Sequence, residues 1–142
     1  MSDLIAADVS ENGKSLYAVD IEVNGHSLSG DEPEAYGSAN LGPAPYDLLL
    51  AALGECTVMT IRWFALQRQW PLERAEARLT HEKVNHKDVF TKTITLYGDE
   101  LTAEQRQKLI DVAAKCPVHK TLMSEVSIET QAADSADGSS AD

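Results

Sequence analysis

Positive charge is scarce in this sequence, and its scarcity excludes several classes of protein. The 142 residues include 12 lysines and arginines against 23 acidic residues, which gives a formal net charge of −11 at pH 7. So acidic a surface repels phosphate backbones and anionic lipid headgroups. We therefore expect no nucleic-acid partner and no docking on a membrane.

A leader and a long apolar run are also lacking. The first residues show no basic region followed by an apolar segment, so they do not resemble a signal peptide. The most apolar stretch, residues 48–61, contains Glu55 and falls short of the roughly 18 apolar residues of a membrane span. The sequence predicts a cytoplasmic protein with one domain over residues 1–130 and a disordered acidic tail over 131–142.

Cysteine is rare, and no metal-binding or phosphate-binding pattern is present. Cys56 and Cys116 lie too far apart for a zinc ribbon, and His81 and His86 do not have the spacing of a zinc-protease helix. A glycine-rich phosphate loop and a G-x-S-x-G motif are missing as well. We expect no metal and no cofactor. In a reducing compartment the two cysteines are either inert core residues or redox-active ones.

Alternation of apolar and polar residues predicts strands. Residues 14–32 alternate around Asn24-Gly25, so we expect a hairpin with one arm to about residue 23 and the next from His26. Residues 73–84 and 89–99 alternate as well and are joined by a polar turn around residues 85–88. Residues 125–130 are predicted as a last short strand. Residues 30–45, rich in glycine, proline and acids, are predicted as a long ordered loop.

A long helix is predicted over residues 47–68. Pro45 precedes it, and Asp47 in its first turn suits the positive end of the helix dipole. Apolar residues surround it on nearly all sides, and a helix of that kind is buried all round. Because a chain of this size can hardly cover such a helix alone, we predict an obligate dimer.

A second helix, over residues 101–116, carries the other cysteine. Its predicted core face consists of Leu109, Val112, Ala113 and Cys116, and Thr102 with Gln105 can form a capping box. Pro117 suits the first position of a further short helix capped by Cys116. The succession of strands, helix, strands, helices and strand indicates an α+β fold.

The two cysteines allow two interpretations. Taken alone, Cys56 among apolar neighbours is typical of an inert core residue. Cys116 at a helix N-terminus instead faces unpaired N–H groups that favour the thiolate, with His119 and Lys120 able to add positive charge. The two could meet as a redox pair, although their spacing does not show that they do.

Both cysteines lie in distinctive segments, GPAPYDLLLAALGECTVMTIRWFA (residues 42–65) and GDELTAEQRQKLIDVAAKCPVHKTL (residues 98–122). Together with GHSLSGDEPEAYG (residues 25–37), they resemble the OsmC/Ohr family of osmotically inducible and organic-hydroperoxide-resistance proteins. The resemblance extends over roughly residues 15–130.

The resemblance implies an α+β, OsmC-like fold in which an intertwined homodimer packs two long helices between two sheets. It implies that Cys56 is the peroxidatic thiol, that Cys116 resolves it, and that the site lies at the dimer interface. The implied substrate is an organic hydroperoxide, and the implied reductant is a dihydrolipoamide-type dithiol. No metal or flavin is implied.

The charged residues depart from the family pattern. The best-studied peroxidase branches pair an N-terminal arginine with a glutamate at the start of the central helix, whereas this chain has no arginine before Arg62. Tyr46 and Asp47 stand at the place of the glutamate. Lys14, His26 or Arg62 are candidates for the positive charge, and the sequence does not select among them.

Three functions therefore remain open. The first is a thiol-dependent peroxidase that acts through a Cys56 sulfenic acid and a Cys56–Cys116 disulfide, supported by Asp47, His26 and His119. The second is an OsmC-like protein without efficient peroxidase activity that binds a small apolar or electrophilic ligand at the dimer interface. The third is a structural dimer with inert thiols.

Overall fold

The computed structural model describes residues 4–133, which form an α+β fold with two antiparallel sheets. The first sheet consists of β1 (Ala7–Glu11), β2 (Val19–Val23) and β3 (His26–Gly30), in that order. The long helix α1 (Pro45–Arg68) follows, and then the hairpin of β4 (Arg74–Val84) and β5 (Lys87–Tyr97). Two shorter helices, α2 (Ala103–Ala113) and α3 (Pro117–Leu122), complete the order.

Two-residue turns set the register of both predicted hairpins. Asn24 and Gly25 have φ values of 50° and 76° and join β2 to β3, so that Val23 pairs with His26. Asn85 and His86 have φ values of 50° and 66° and join β4 to β5 in the same way. Turns with positive φ at both central residues match the right-handed twist of the strands. Both hairpins and the α+β class are confirmed.

One side of α1 forms the core of the chain. Leu53, Thr57, Ile61 and Ala65 recur every fourth residue, and all four are buried. Within the chain, α1 packs mainly against β4, α2 and α3. The predicted capping box of α2 is present, and Leu109, Val112 and Ala113 of its predicted core face are buried. The helix ends at Ala113, earlier than the predicted residue 116, so the buried Cys116 follows α2 and caps α3 instead.

The opposite side of α1 is not covered within one chain. Met59 is 61% exposed and Trp63 is 59% exposed, with Leu49 and Leu66 similarly open. The helix is therefore buried on one side in the single chain, not on every side as its composition predicts. In the first sheet, one row of facing side chains is Val9, Ile21 and Leu28, and the first and last of these are also exposed.

By length and hydropathy, α1 passes the criteria for a membrane span. Its best window of 18 residues has a mean hydropathy of 1.4, and it reaches this level even though Glu55 interrupts its apolar run. The core helix of a soluble protein can have the same length and hydropathy.

The predicted strand at residues 125–130 is wrong. These residues are irregular, and Ile128 is 85% exposed. Alternation favours a strand only where a sheet edge is available for pairing, and within residues 4–133 this segment pairs with none. Residues 131–133 are also irregular, and the remainder of the predicted tail lies outside the described residues. The single-domain boundary at residue 130 stays a prediction.

A buried carboxylate organises the predicted loop after β3. Asp31 accepts hydrogen bonds from the hydroxyls of Ser15 and Ser38 and from the backbone N–H groups of Glu32 and Leu41. Burial raises the pKa of the Asp31 carboxyl, but these four donors outweigh it and hold the pKa well below its ordinary value. The charged form therefore ties the loop to the segment before β2.

We predict that Asp31→Asn destabilises the fold in a pH-dependent way. Because the folded-state pKa is depressed, the contribution of the carboxylate is complete above about pH 4 and is lost as the pH falls toward the folded value. Urea unfolding should show a gap between wild type and Asp31→Asn at pH 7 that narrows below pH 4. The control Asp8→Asn lies on the exposed strand β1 and should show a much smaller gap. A gap independent of pH would contradict this role.

Candidate thiol site

The first turn of α3 brings the two cysteines together. The N–H of Val118 donates to Cys56 Sγ at 3.4 Å, and the N–H of His119 donates to Cys116 Sγ at 3.4 Å. Each cysteine shifts the pKa of the other, and neither is in a disulfide. The chain therefore places residues from α1 and α3 in one site, which their separation in sequence could not establish.

Local sequence explains this arrangement. Cys116 is the N-cap of α3, as predicted, and Pro117 occupies the first position. Proline has no N–H, so the first donors of the helix are Val118 and His119. The N–H of His119 donates to the sulfur of the cap residue Cys116, and the N–H of Val118 donates to the sulfur of Cys56 on α1.

The two thiols differ in exposure. Cys116 is 0% exposed, whereas Cys56 is partly exposed and lines a groove of about 600 Å³. The groove walls are mainly apolar, with Glu55 and Lys115 as the charged lining residues; the others are Ala52, Met59, Thr60, Trp63, Pro117 and Val118. A small apolar molecule can thus reach one sulfur and not the other, and Glu55, which had no assigned role in the sequence, lies on the groove wall.

The two thiols also differ in acidity. Burial raises the pKa of the Cys56 thiol, and the neighbouring Cys116 raises it further. Burial also raises the pKa of Cys116, but the N–H of His119, the Thr57 hydroxyl, the Cys56 thiol and the charge of Lys92 outweigh it and lower the pKa. The two groups titrate as a pair, in which the first negative charge is best accommodated on Cys116.

Lys92 places positive charge beside the buried side of the thiol pair. Its Nζ donates to Thr57 Oγ1 at 3.1 Å and to the carbonyl of Ala113 at 2.7 Å, and Thr57 Oγ1 lies 3.6 Å from Cys116 Sγ. Burial lowers the pKa of Lys92, while the two cysteines act in the opposite direction. The positive charge therefore comes from β5 and reaches the thiol pair through one hydroxyl.

Lys92 and Thr57 are the site residues that the sequence analysis missed. A signal for Lys92 was present: it alternates with Phe90, Ile94 and Leu96, which all lie on the partly buried face of β5. A lysine on the inward face of a strand needs a polar partner inside. For Thr57 the sequence offered only a hydroxyl within an apolar helix.

His119 lies beside Cys116, and its predicted supporting role stays a prediction. Burial and the charge of Lys92 lower the pKa of His119, so the imidazole is neutral at pH 7 and does not supply the expected positive charge. Its Nδ1 is buried without a hydrogen-bond partner among the described residues. The contribution of His119 shown here is its backbone N–H.

Asp47 and His26 are not brought to the thiols within one chain. The Asp47 carboxylate accepts from the N–H of Ala44 at 2.9 Å and so caps α1, which runs unbroken through Gly54. Nine residues of helix separate Asp47 from Cys56, a rise of about 13 Å. His26 is exposed at the start of β3 in the first sheet. Their predicted supporting roles stay predictions.

Arg62 and Lys14, the other two candidates for the positive charge, do not lie at the thiols in this chain. Arg62 donates to the carbonyls of Leu72 at 2.9 Å and Glu73 at 3.1 Å, so its guanidinium holds the connection from α1 to β4. Lys14 is exposed in the segment between β1 and β2. Neither replaces Lys92 at the thiols in this chain.

The fold and the site together define an α+β protein in which two cysteines from different elements share one site. A family model described as OsmC-like protein matches residues 37–131, which is more than half of the chain. The chain therefore belongs to the OsmC-like family, as the resemblance in its sequence indicated. No curated protein sequence matches it.

Solved structures of similar fold agree with this assignment. An OsmC-like protein from Mycoplasma pneumoniae has a TM-score of 0.72 at 17% identity, with 87% of this chain and 89% of that chain covered. An organic hydroperoxide resistance protein from Elizabethkingia anophelis has a TM-score of 0.63 at 16% identity, with coverage of 85% and 89%. The organic hydroperoxide resistance protein OhrB of Bacillus subtilis has a TM-score of 0.58 at 17% identity, with coverage of 84% and 90%. At these identities the likeness establishes the fold.

Proposed function

We propose that this protein is a thiol-dependent peroxidase that reduces organic hydroperoxides. The observation that supports this function most is the division between the two cysteines. Cys56 lies at an apolar groove, and Cys116 is buried beside it, where successive N–H groups of α3 donate to the two sulfurs. An apolar substrate can reach Cys56, while Cys116 is shielded from solvent and can form a disulfide with Cys56 afterwards.

The reaction has three steps. The Cys56 thiolate attacks one peroxide oxygen, the O–O bond breaks, and the alkoxide leaves and takes up a proton, which leaves a sulfenic acid on Cys56. The Cys116 thiolate then attacks that sulfur, so that the S–S bond forms and hydroxide departs to become water. A dithiol, for which we propose a dihydrolipoamide-type reductant, exchanges with the disulfide and is itself oxidised.

The environment of Cys56 suits this chemistry in part. The N–H of Val118 can stabilise a thiolate on Cys56, and Thr60 lowers the pKa of Cys56 through a side-chain hydrogen bond. Apolar walls such as Met59 and Trp63 favour a hydroperoxide with a hydrocarbon part over hydrogen peroxide. No cofactor is required, because both electrons for the peroxide come from the thiols.

We further propose that the working form is an intertwined homodimer in the cytoplasm. Two surfaces support it: the exposed apolar side of α1, and the apolar row Val9, Ile21 and Leu28 of the first sheet. Exposed apolar side chains that lie next to one another in this way mark surfaces at which proteins associate. A partner whose first sheet covers α1 would bury both surfaces at once.

A ligand-binding protein without efficient peroxidase activity is the second candidate. It is favoured by the raised pKa of Cys56, because a protonated thiol is a poor nucleophile toward peroxide. In that case the groove would hold a small apolar or electrophilic molecule beside an unreacted Cys56.

The peroxidase predicts catalytic removal of cumene hydroperoxide with dihydrolipoamide as the reductant. Cys56→Ser should abolish turnover, because no sulfenic acid can form. Cys116→Ser should lower it strongly, since Cys56 is then left open to over-oxidation. Hydrogen peroxide should be the poorer substrate, as judged by kcat/KM. Equal, slow consumption by wild type and Cys56→Ser would exclude the peroxidase and leave ligand binding as the function.

The homodimer predicts a single dimeric species in sedimentation velocity. Leu66→Asp, on the exposed side of α1 away from the Cys56 groove, should shift the equilibrium toward monomer, because it buries a carboxylate in an apolar interface. The control Glu104→Asp, on the exposed side of α2, should leave the dimer unchanged. A wild-type protein that sediments as a stable, folded monomer would contradict this assembly.

A further inference from the structure

A half-buried lysine faces the thiol pair without a carboxylate partner. Lys92 is partly buried on β5, and none of the ion pairs among residues 4–133 includes it. Its two hydrogen-bond acceptors, Thr57 Oγ1 and the Ala113 carbonyl, are both neutral. An ammonium removed from water needs a counter-charge nearby, and the ionisable groups that influence it here are Cys116 and Cys56.

Thr57 stands between the lysine and the buried sulfur. Its hydroxyl carries one proton and can donate one hydrogen bond, yet it has two acceptors within reach. These are the Leu53 carbonyl at 2.7 Å and Cys116 Sγ at 3.6 Å. Lys92 occupies one lone pair of the same oxygen at 3.1 Å.

The single hydroxyl proton makes the arrangement depend on the charge of the sulfur. While Cys116 is a thiol, the Thr57 hydroxyl donates to Leu53 and accepts from Lys92. Once Cys116 is a thiolate, rotation of the hydroxyl lets it donate to Sγ, and Lys92 polarises that donor. Both Thr57 and Cys116 are 0% exposed, so water does not compete for the sulfur.

We propose that Lys92 and Thr57 form a buried relay that holds negative charge on Cys116 and so makes it the nucleophile that closes the disulfide. Lys92 acts through Thr57 and is a positioning residue, whereas Thr57 touches the reacting sulfur. The claim that Lys92 and Thr57 hold negative charge on Cys116 concerns the thiol pair alone and can be tested without a peroxide. The claim that Cys116 then closes the disulfide rests on the proposed peroxidase function.

The relay belongs to the step after oxidation of Cys56. The Cys116 thiolate supplies the electron pair of the new S–S bond, and the S–O bond of the Cys56 sulfenic acid breaks. Cys116 is oxidised, the sulfenic sulfur is reduced, and the departing hydroxide takes a proton from solvent. A thiolate already held beside Cys56 shortens the lifetime of the sulfenic acid and so limits its over-oxidation.

The first test is a pH titration of Cys116 by thiolate ultraviolet absorbance in the Cys56→Ser background. This background removes the other titrating thiol and leaves His119 and Lys92 as the ionisable neighbours on α3 and β5. We expect a midpoint below the ordinary value of about 8.5. Adding Lys92→Met or Thr57→Val should raise it by about one unit or more, which is a tenfold loss of thiolate at a fixed lower pH.

Matched variants separate the relay from a merely structural role. Thr57→Ser keeps the hydroxyl and should retain the low midpoint, whereas Thr57→Val keeps the shape and should lose it. Lys87→Met makes the same substitution at the exposed start of β5 and should leave the midpoint unchanged. A midpoint at the ordinary value, or one that neither Lys92→Met nor Thr57→Val moves, would overturn the relay.

The second test measures disulfide closure after a stoichiometric pulse of cumene hydroperoxide in the wild-type background. Lys92→Met and Thr57→Val should slow closure about tenfold near pH 7 and shift its pH profile upward, with more sulfinic acid on Cys56. Normal oxidation and normal closure in both variants would overturn the relay alone. If wild-type Cys56 is not oxidised, the peroxidase fails, while the titration still decides whether the relay exists.

Discussion

The backbone amides at the start of α3 are the constraint on which the site depends. Val118 and His119 each donate to one sulfur, and because Pro117 has no N–H, these two are the first donors that the helix offers. This turn fixes Cys116 beneath the surface and draws it to Cys56 on a helix formed much earlier in the chain. The position of the dithiol therefore depends on how α3, capped by Cys116, follows α2, which ends at Ala113.

The charge at the site follows from the same packing. The partly buried face of β5 carries Phe90, Lys92, Ile94 and Leu96. Lys92 is the charged residue among these four, and its ammonium needs a polar partner inside the fold. It finds Thr57 on α1 and the last turn of α2, so three elements meet at one ammonium. α1 itself serves two purposes: one side forms the core of the chain, and the other presents an apolar surface and the groove of Cys56.

Much of the fold was predictable because local signals and tertiary packing agree. The Asn24-Gly25 turn, the capping box of Thr102 and the cap at Cys116 all appear as the residues indicate. The strand at residues 125–130 failed because alternation does not provide a partner edge. In the site, the two cysteines were candidates for a pair that only the resemblance implied, whereas Lys92 was not a candidate, because its role depends on three elements that meet only after folding. His119 was chosen for a charge that its burial beside Lys92 removes.

The central claim is that Cys56 and Cys116 act as one redox pair, and intact mass spectrometry after one equivalent of cumene hydroperoxide tests it most directly. The account predicts that the mass of the wild-type protein falls by two hydrogen atoms per chain and that a dithiol restores the original mass. Peptide mapping should assign the new disulfide to Cys56 and Cys116. Cys116→Ser should instead gain oxygen at Cys56. An unchanged mass at several equivalents of peroxide, or oxygen added to wild-type Cys56 without a disulfide, would contradict the account.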